Sequence, residues 1–336
     1  MLDPMHRDGT IHNGACNMRP LEKKVAVVAG ATRGAGRGIA RALGEAGAIV
    51  YCTGRSTGGN PSPYGRPETI DETAELVNAA GGNAIPVRVD HTVESEVRAL
   101  FERVEREHGG LDVLVNSIAG EDPTLRAWTS FLATDLTDAM RSLQQGLLSH
   151  VITAKYGVPL MGKKRRGLIV EVTEHDLLFT GGNALKQLVK FGLKGIAVML
   201  AEELHSKKVA AVAITPGFLR SEAMLDHFGV TEANWRDAGK KEPHFLYSES
   251  PLFIGRAVVA LAQDKNVLAR SGRMESSWGL AREYGFTDAD GSRPDWGKHF
   301  EESVVPAFPG MRTSLERHAA WLEGLAARAK GYLGSA

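Results

Sequence analysis

The sequence has few cysteines and no surplus of charge of either sign. Its 336 residues include only Cys16 and Cys52, too few for a disulfide framework or a cysteine-ligated metal, and this fits a reducing compartment. Forty basic residues balance forty acidic ones, so the basic surplus of a nucleic-acid-binding protein is missing. We therefore expect a cytoplasmic protein that binds small molecules, with no metal site and no nucleic-acid partner.

Long apolar runs are also missing. No run reaches the roughly 18 residues that cross a bilayer. The start of the chain carries charges, Pro, Gly and Asn in place of the apolar segment of a signal peptide. We therefore expect no membrane association, and we expect residues 1–20 to form a flexible N-terminal extension.

The sequence does contain a regular alternation of short apolar runs with longer segments of helical periodicity. The apolar runs predict buried parallel strands at 25–29, 49–53, 84–89, 113–116, 168–173 and 209–215. The periodic segments predict helices at about 36–47, 68–80, 93–108, 130–162 and 184–205. This alternation predicts the α/β class, with a Rossmann-type doubly wound parallel sheet in a single domain over residues 21–285.

The pattern changes after Pro216. Residues 217–247 predict a helical flap over the site, and we expect a helix near 251–263 and an apolar segment near 273–280 to close the sheet. Residues 286–336 predict a C-terminal extension, with an irregular arm up to residue 312 and then an amphipathic helix. Aromatic residues of these segments suggest an enclosed apolar or aromatic pocket, namely Trp235, Phe245, Tyr247, Trp278, Tyr284 and Trp296.

A glycine-rich loop follows the first predicted strand and opens the first predicted helix. Its missing side chains let the backbone turn sharply and approach phosphate oxygens, to which the helix presents its positive end. A second strand follows about twenty residues later, as in dinucleotide-binding units. The loop therefore predicts a site for the pyrophosphate of a nicotinamide dinucleotide, formed by Gly30, Thr32, Arg33, Gly34, Ala35 and Gly36.

The end of the second strand indicates which dinucleotide binds. The segment from Tyr51 to Ser56 lacks the acid that binds the ribose 2′-hydroxyl in NAD sites. Arg55, together with Arg33 of the glycine loop, can instead pair with a 2′-phosphate, and each such bond is worth roughly 1.5–3 kcal/mol. We therefore predict NADP(H) as the cofactor.

These motifs, in their order and spacing, resemble those of the short-chain dehydrogenase/reductase family over residues 24–280. The resemblance implies that Asp90 binds the adenine edge and that a Pro-Gly turn at Pro216 faces the carboxamide side of the cofactor. Asn116-Ser-Ile-Ala-Gly120 is similar to the family's Asn-Asn-Ala-Gly element. The further cofactor residues implied are Asp90, Asn116, Ala119, Lys190, Pro216, Gly217 and Ser221. A homodimer or homotetramer through the two long helices is implied as well.

The catalytic set departs from the family pattern. The family uses a Ser, a Tyr thirteen residues later and a Lys four residues after the Tyr. If Lys190 is the family lysine, Lys186 stands at the Tyr position and Thr173 at the Ser position. The family's catalytic Asn should fall near Gly146 and is missing. The candidate catalytic residues are therefore Thr173, Lys186 and Lys190.

Three hypotheses follow from the missing tyrosine. In the first, Lys186 donates the proton or stabilises the developing alkoxide of an NADP(H)-dependent oxidoreductase, because repulsion from Lys190 lowers one lysine pKa. In the second, the chemistry is redox-neutral or acts on an imine, with Lys186 as a base or Schiff-base former. Polar residues at strand ends could then assist, namely Glu121, Asp122, Glu174, His175 and Asp176. In the third, the chain is a weakly active nucleotide-binding scaffold.

Overall fold

The apolar runs form one parallel sheet. Within the residues that the computed structural model describes, 19–119, 129–164, 166–175 and 183–333, this sheet has seven strands. They are β1 (Val25–Ala29), β2 (Ile49–Gly54), β3 (Asn83–Arg88), β4 (Val113–Asn116), β5 (Gly167–Val172), β6 (Val209–Thr215) and β7 (Met274–Ser276). Their order across the sheet is β3-β2-β1-β4-β5-β6-β7. The predicted doubly wound sheet is confirmed, and the strand order reverses between β1 and β4, where such sheets bind ligands.

Helices cover both faces of the sheet. They are α1 (Gly34–Glu45), α2 (Ile70–Ala79), α3 (Glu94–His108), α4 (Leu136–Leu143), α5 (Ser149–Lys164), α6 (Ala184–Leu204), α7 (Glu222–Phe228), α8 (Pro251–Gln263), α9 (Ser277–Tyr284), α10 (Trp296–His299), α11 (Val305–Ala307) and α12 (Pro309–Leu333). None of the helices in the described part of the chain is long and apolar enough to cross a membrane. Residues 1–18 of the predicted N-terminal extension lie outside the described residues.

The predicted helix at 130–162 is wrong at its start. The regular helix begins at Leu136, because the Asp135 carboxylate caps it by accepting hydrogen bonds from the amides of Thr137 and Asp138. A π-helical turn, Gln144–Leu148, then joins α4 to α5.

Close helix contact holds the glycine loop in place. A Cβ at Gly38 of α1 would lie 1.9 Å from the carbonyl oxygen of Pro251 at the start of α8. A Cβ at Gly255 of α8 would lie 2.5 Å from the carbonyl oxygen of Gly38. Because neither helix carries a side chain at the crossing, α8 fixes the position of α1 and of the loop that precedes it.

The flap, residues 217–247, is helical as predicted. It contains α7 and two 3-10 turns, and it has a small apolar core of its own, formed by Trp235, Ala238 and Phe245. The arm, residues 286–312, was predicted to be irregular, and this is wrong from Trp296 onward, where α10, a π-helical turn and α11 follow one another. Its Asp and Pro residues start helices: Asp295 caps α10, and Pro306 lies in the first turn of α11.

Candidate active site

The glycine loop lies against the carboxyl end of β4. Gly30 has a φ of +85°, and a Cβ there would lie 2.5 Å from the carbonyl oxygen of Ser117. A Cβ at Gly36 would lie 2.1 Å from the carbonyl oxygen of Gly30. Close backbone packing therefore requires glycine at both positions, and the loop leads into the N-terminus of α1 at Gly34, the kind of helix end that binds phosphate groups. The other predicted loop residues, Thr32 and Ala35, lie in the same turn and first helical turn.

Two arginines follow the carboxyl ends of the neighbouring strands β1 and β2. The Arg33 guanidinium donates to the Glu68 carboxylate at 3.2 Å, and Arg55 Nη1 lies 4.0 Å from Asp90 Oδ2. Burial would raise the pKa of Glu68, but hydrogen bonds and positive charge from Arg66 and Arg33 hold it below its usual range. The side chains of Arg33 and Arg55 are 29% and 33% exposed, so both are held by acids and still reach solvent at the edge of the sheet.

The residues implied for the adenine half also lie at strand ends. Asp90 follows β3 and accepts hydrogen bonds from the amide and the hydroxyl of Thr92, at 2.9 and 2.7 Å. Burial acts to raise the pKa of Asp90, but these hydrogen bonds and nearby arginines hold it below its usual range. Asn116 ends β4 in register with Ala29, directly before the glycine loop, and the exposed Ala119 follows three residues later.

The structure brings together two of the three candidate catalytic residues. Thr173 is buried directly after β5, and its hydroxyl donates to the carbonyl oxygen of Lys190 at 3.3 Å. The Lys190 ammonium pairs with the Glu174 carboxylate at 2.9 Å, and this lysine side chain is only 14% exposed. Lys186 is half-buried one turn earlier on α6, a helix capped by the side chain of Asn183. The predicted roles of all three residues stay predictions.

The sequence did not predict a buried polar network that lies behind the site. Glu171 is buried one residue before the end of β5; it accepts from the Asn116 side-chain amide at 2.7 Å and lies 2.6 Å from His150 Nδ1. His150 Nε2 lies 3.1 Å from the carbonyl oxygen of Ile118. A carbonyl oxygen only accepts, so Nε2 carries a proton and Nδ1 and Glu171 share another. One signal was available in the sequence: Glu171 is the only charged residue in an apolar run.

A second buried histidine lies beside this network. His91 Nε2 lies 2.8 Å from the Thr53 hydroxyl, and its Nδ1 lies 2.8 Å from the Thr153 hydroxyl. Burial, with the charge of His150, lowers the pKa of His91 to about 3. His91 is therefore neutral and holds the ends of β2 and α5 at a fixed distance.

The π-helical turn contains the position where the family's catalytic Asn was expected. Gly146 is buried there, and the neighbouring Gln145 side chain accepts a hydrogen bond from the Tyr64 hydroxyl at 3.0 Å. This turn therefore contacts the segment that follows β2, and Gly146 itself contributes no side chain to the site.

The Pro216-Gly217 turn follows β6 and is held by a buried acid. The Gly217 amide donates to Glu249 Oε2 at 2.9 Å, and the Ser277 hydroxyl donates to the same oxygen at 2.5 Å. Burial raises the pKa of Glu249 to about 8, although these hydrogen bonds oppose the change. A Cβ at Gly217 would lie 2.5 Å from Trp296 Cβ, so the turn is also packed against the arm. The sequence carries no local signal that Glu249 belongs to this site.

The flap is joined to the glycine loop through the start of α7. The Ser221 hydroxyl caps α7 by accepting from the Met224 amide at 3.4 Å. The Glu222 carboxylate accepts from the Gly34 amide at 2.7 Å and lies 3.5 Å from Arg37 Nη1. A carboxylate of the flap therefore contacts the helix N-terminus that fits the pyrophosphate.

A cavity of about 260 Å³ lies between the ends of β5 and β6 and the arm. Most of its wall is aromatic or aliphatic, with one imidazole and one carboxylate. The lining residues are His175, Pro216, Trp278, Trp296, Gly297, Phe300, Glu301, Val305 and Leu315. Of the aromatic residues that suggested a pocket, Trp278 and Trp296 line it.

The other predicted pocket aromatics do not line this cavity. Trp235 and Tyr247 line a second cavity, of about 520 Å³, between the flap and the arm. Phe245 packs inside the flap, and Tyr284 donates to Asp264 at 2.5 Å. Three acidic residues of the second hypothesis lie outside the described residues: Glu121, Asp122 and Asp176. Among the described residues, no group of three or more His, Cys, Asp or Glu side chains could hold a metal ion.

Known proteins share this arrangement of strands and motifs. The family model for short chain dehydrogenases matches residues 24–228. Dehydrogenase/reductase SDR family member 1 of Mus musculus is 38% identical over 279 residues, which are 81% of this chain and 85% of that protein. The 3-oxoacyl-[acyl-carrier-protein] reductase FabG of Aquifex aeolicus is 32% identical over 204 residues, 60% of this chain and 76% of that protein.

A solved structure agrees in fold. A short chain dehydrogenase from Mycobacterium thermoresistibile matches with a TM-score of 0.69 at 22% identity, over 82% of this chain and 92% of that one. The chain therefore belongs to the short-chain dehydrogenase/reductase family, a family of oxidoreductases that use nicotinamide cofactors.

Proposed function

We propose that this protein is an NADP(H)-dependent oxidoreductase that transfers hydride between the nicotinamide and a small apolar or aromatic carbonyl, alcohol or imine. The observation that carries the proposal is the position of Arg33 and Arg55. They follow adjacent strand ends, next to a glycine loop that leads into the N-terminus of α1, and no acid stands at the end of β2. A 2′-phosphate supplies the negative charge that these two cations can bind.

The remaining cofactor contacts of this proposal are those that the family resemblance implies. The amides at the start of α1 would hold the pyrophosphate, Asp90 would hold the adenine edge, and Lys190 would hold the ribose. The Pro216-Gly217 turn and Ser221 would contact the carboxamide side. The bound cofactor would supply the hydride. Side chains of the protein orient the substrate oxygen and exchange the proton.

The substrate oxygen is assigned to the end of β5 and the start of α6. The Thr173 hydroxyl orients it, and Lys186, at the position of the family's tyrosine, donates the proton or stabilises the charge that develops on the oxygen. The Lys190 ammonium pairs with Glu174, and this proposal assigns the positive charge beside the substrate oxygen to Lys186.

The cavity supports the substrate class. Its volume of about 260 Å³ is close to the lower limit for small-molecule sites, and two tryptophans and Phe300 contribute its wall. A compact aromatic or aliphatic molecule fits such a wall better than a highly charged one.

Exposed apolar side chains support a homodimer or homotetramer. Large apolar residues from the turn before α4 to the end of α6 face solvent in the single chain, which is uncommon for a monomer. They include Leu132, Leu136, Met140, Leu148, Val151, Leu188, Val198 and Met199. We propose that α4, α5 and α6 form the contact between subunits, and sedimentation or light scattering measures it.

Cofactor binding tests the proposal directly. NADPH should raise the melting temperature more than NADH does, and Arg55→Ala should weaken NADPH binding by about 10- to 150-fold, the equivalent of one charge-assisted hydrogen bond. Affinity for NADH should not change. Arg98→Ala, at an exposed position on α3, is the matched control. Equal affinity of the wild type for both nucleotides would contradict the NADP(H) preference.

Turnover is the second part of the test. The oxidation of NADPH is followed by absorbance with an aromatic aldehyde, an aromatic ketone and a cyclic imine. Tight NADPH binding without turnover of any of the three would contradict hydride transfer.

A further inference from the structure

The family's tyrosine is absent, so another group must exchange the proton with the substrate oxygen. One imidazole lies on the wall of the substrate cavity: His175, two residues after Thr173, shares that wall with Pro216. Neither Lys186 nor Lys190 is among the described residues that line the cavity. Among the described residues at this end of β5, the imidazole of His175 is therefore the titratable side chain that lies on the cavity wall.

The backbone and packing of His175 agree with such a role. Its φ is +57°, in the left-handed region that non-glycine residues rarely adopt and that surrounding structure must hold in place. Its ring packs against Phe300 of the arm, with 6.3 Å between centroids and an angle of 49° between planes. The arm therefore both closes the cavity and orients the imidazole.

Charged groups lie on the elements around His175. Glu174, on its own segment, pairs with Lys190 of α6. Lys186 lies one turn before Lys190 on α6, and Glu301 of the arm shares the cavity wall. A histidine ordinarily titrates near pH 6.5, close to the pH at which a general acid works best, whereas a lysine titrates near 10.4.

We propose, on the basis of the function proposed above, that His175 exchanges the proton with the substrate oxygen. In reduction, hydride forms a bond to the carbonyl carbon and the electron pair of the C=O π bond moves to oxygen. The imidazolium of His175 gives its proton to this oxygen, becomes neutral and regains a proton from water. In oxidation the neutral imidazole takes the hydroxyl proton.

The test compares full-length variants with the same aldehyde, ketone and imine and with NADPH. His175→Gln should lower kcat for reduction by about 100- to 10,000-fold, the usual effect of a positioned general acid, with the affinity for NADPH unchanged. The wild-type rate of reduction should fall as the pH rises above about 7, and the residual rate of His175→Gln should lose this dependence. Added imidazole should restore part of the turnover of His175→Ala, which a purely structural role would not allow. His205→Gln, at an exposed position after α6, is the control.

Three outcomes overturn the inference. Wild-type turnover in His175→Gln rejects the role of His175 and leaves the proposed function standing. Loss of the pH dependence in Lys186→Met, with its retention in His175→Gln, assigns the proton to Lys186. Absence of turnover in the wild type, despite NADPH binding, rejects the proposed function and this inference together.

Discussion

Glu249 should make the protein less stable as the pH rises, which is the opposite of the usual effect of a glutamate. Its side chain is 1% exposed, its Oε2 accepts hydrogen bonds from Gly217 and Ser277, and its Oε1 has no partner within the described residues. Glu249→Gln keeps the shape and an accepting oxygen and removes the titration. The substitution therefore separates the charge of this residue from its packing.

The sign follows from the two pKa values. The ordinary pKa of the carboxyl is 4.5, and burial raises the pKa of Glu249 to about 8. Between these values the folded protein binds a proton that the unfolded chain has lost, so the free energy of unfolding falls as the pH rises through this window. At 1.36 kcal/mol for each tenfold change in the protonation equilibrium, the full loss is about 5 kcal/mol. Relaxation around the carboxyl reduces it, and we expect a loss of about 2–5 kcal/mol.

Urea unfolding of the wild type and of Glu249→Gln between pH 5 and pH 9 measures this loss. The variant should become progressively more stable than the wild type as the pH rises, with the change concentrated below pH 8. Glu75→Gln, at an exposed position on α2, should show no such trend. If the stability difference between wild type and Glu249→Gln is the same at pH 5 and pH 9, Glu249 is ionised in the folded protein and the reasoning fails.

Three further predictions concern the crossing of α1 with α8, the flap and the buried histidine. Gly38→Ala should lower the free energy of unfolding in urea by about 1–3 kcal/mol, because its Cβ would lie 1.9 Å from the Pro251 carbonyl oxygen. The control Gly59→Ala should leave the stability unchanged, because a Cβ there meets nothing within 4 Å. Glu222→Gln should tighten NADPH binding up to about fivefold in a fluorescence titration. The reason is that the negative charge of Glu222 competes with the cofactor at the start of α1, where such a charge is worth about 0.3–1 kcal/mol. Weaker NADPH binding would contradict this. Burial lowers the pKa of His91 to about 3, so the stability of the wild type should decline as the pH falls below 6.5, and His91→Gln should lessen that decline; parallel acid unfolding curves would refute it.

The strands could be predicted because a parallel strand covered on both faces is apolar at successive positions. β1 is an example: all five of its residues are buried. The edge strand β7 is different, since its three residues are half-buried and two of them are polar. For that strand the sequence predicted only an apolar segment that helps to close the sheet.

Some features of the site depend on residues that are close in the sequence, and others depend on contacts between distant residues. The glycine loop could be predicted because its glycines form a local sequence pattern, with spacings of four and two residues. The contacts of Glu249 with Gly217 and of His150 with Glu171 join positions 32 and 21 residues apart, and both depend on how the strands and segments pack. No periodicity or spacing in the chain encodes such pairs. The placement of His175 on the cavity wall belongs to this second group as well.

The same division limits what relatives can indicate about the substrate. The family match covers residues 24–228, and within that range only His175 and Pro216 line the cavity. The other seven lining residues come from α9, the arm and α12. A family match over residues 24–228 therefore supports a nicotinamide cofactor and carries little information about the substrate. Substrate preference should therefore depend on the residues of the arm. Phe300→Ala should change the KM for the aldehyde and leave the affinity for NADPH unchanged. An equal loss of affinity for both would mean that the arm supports the whole site instead of selecting the substrate.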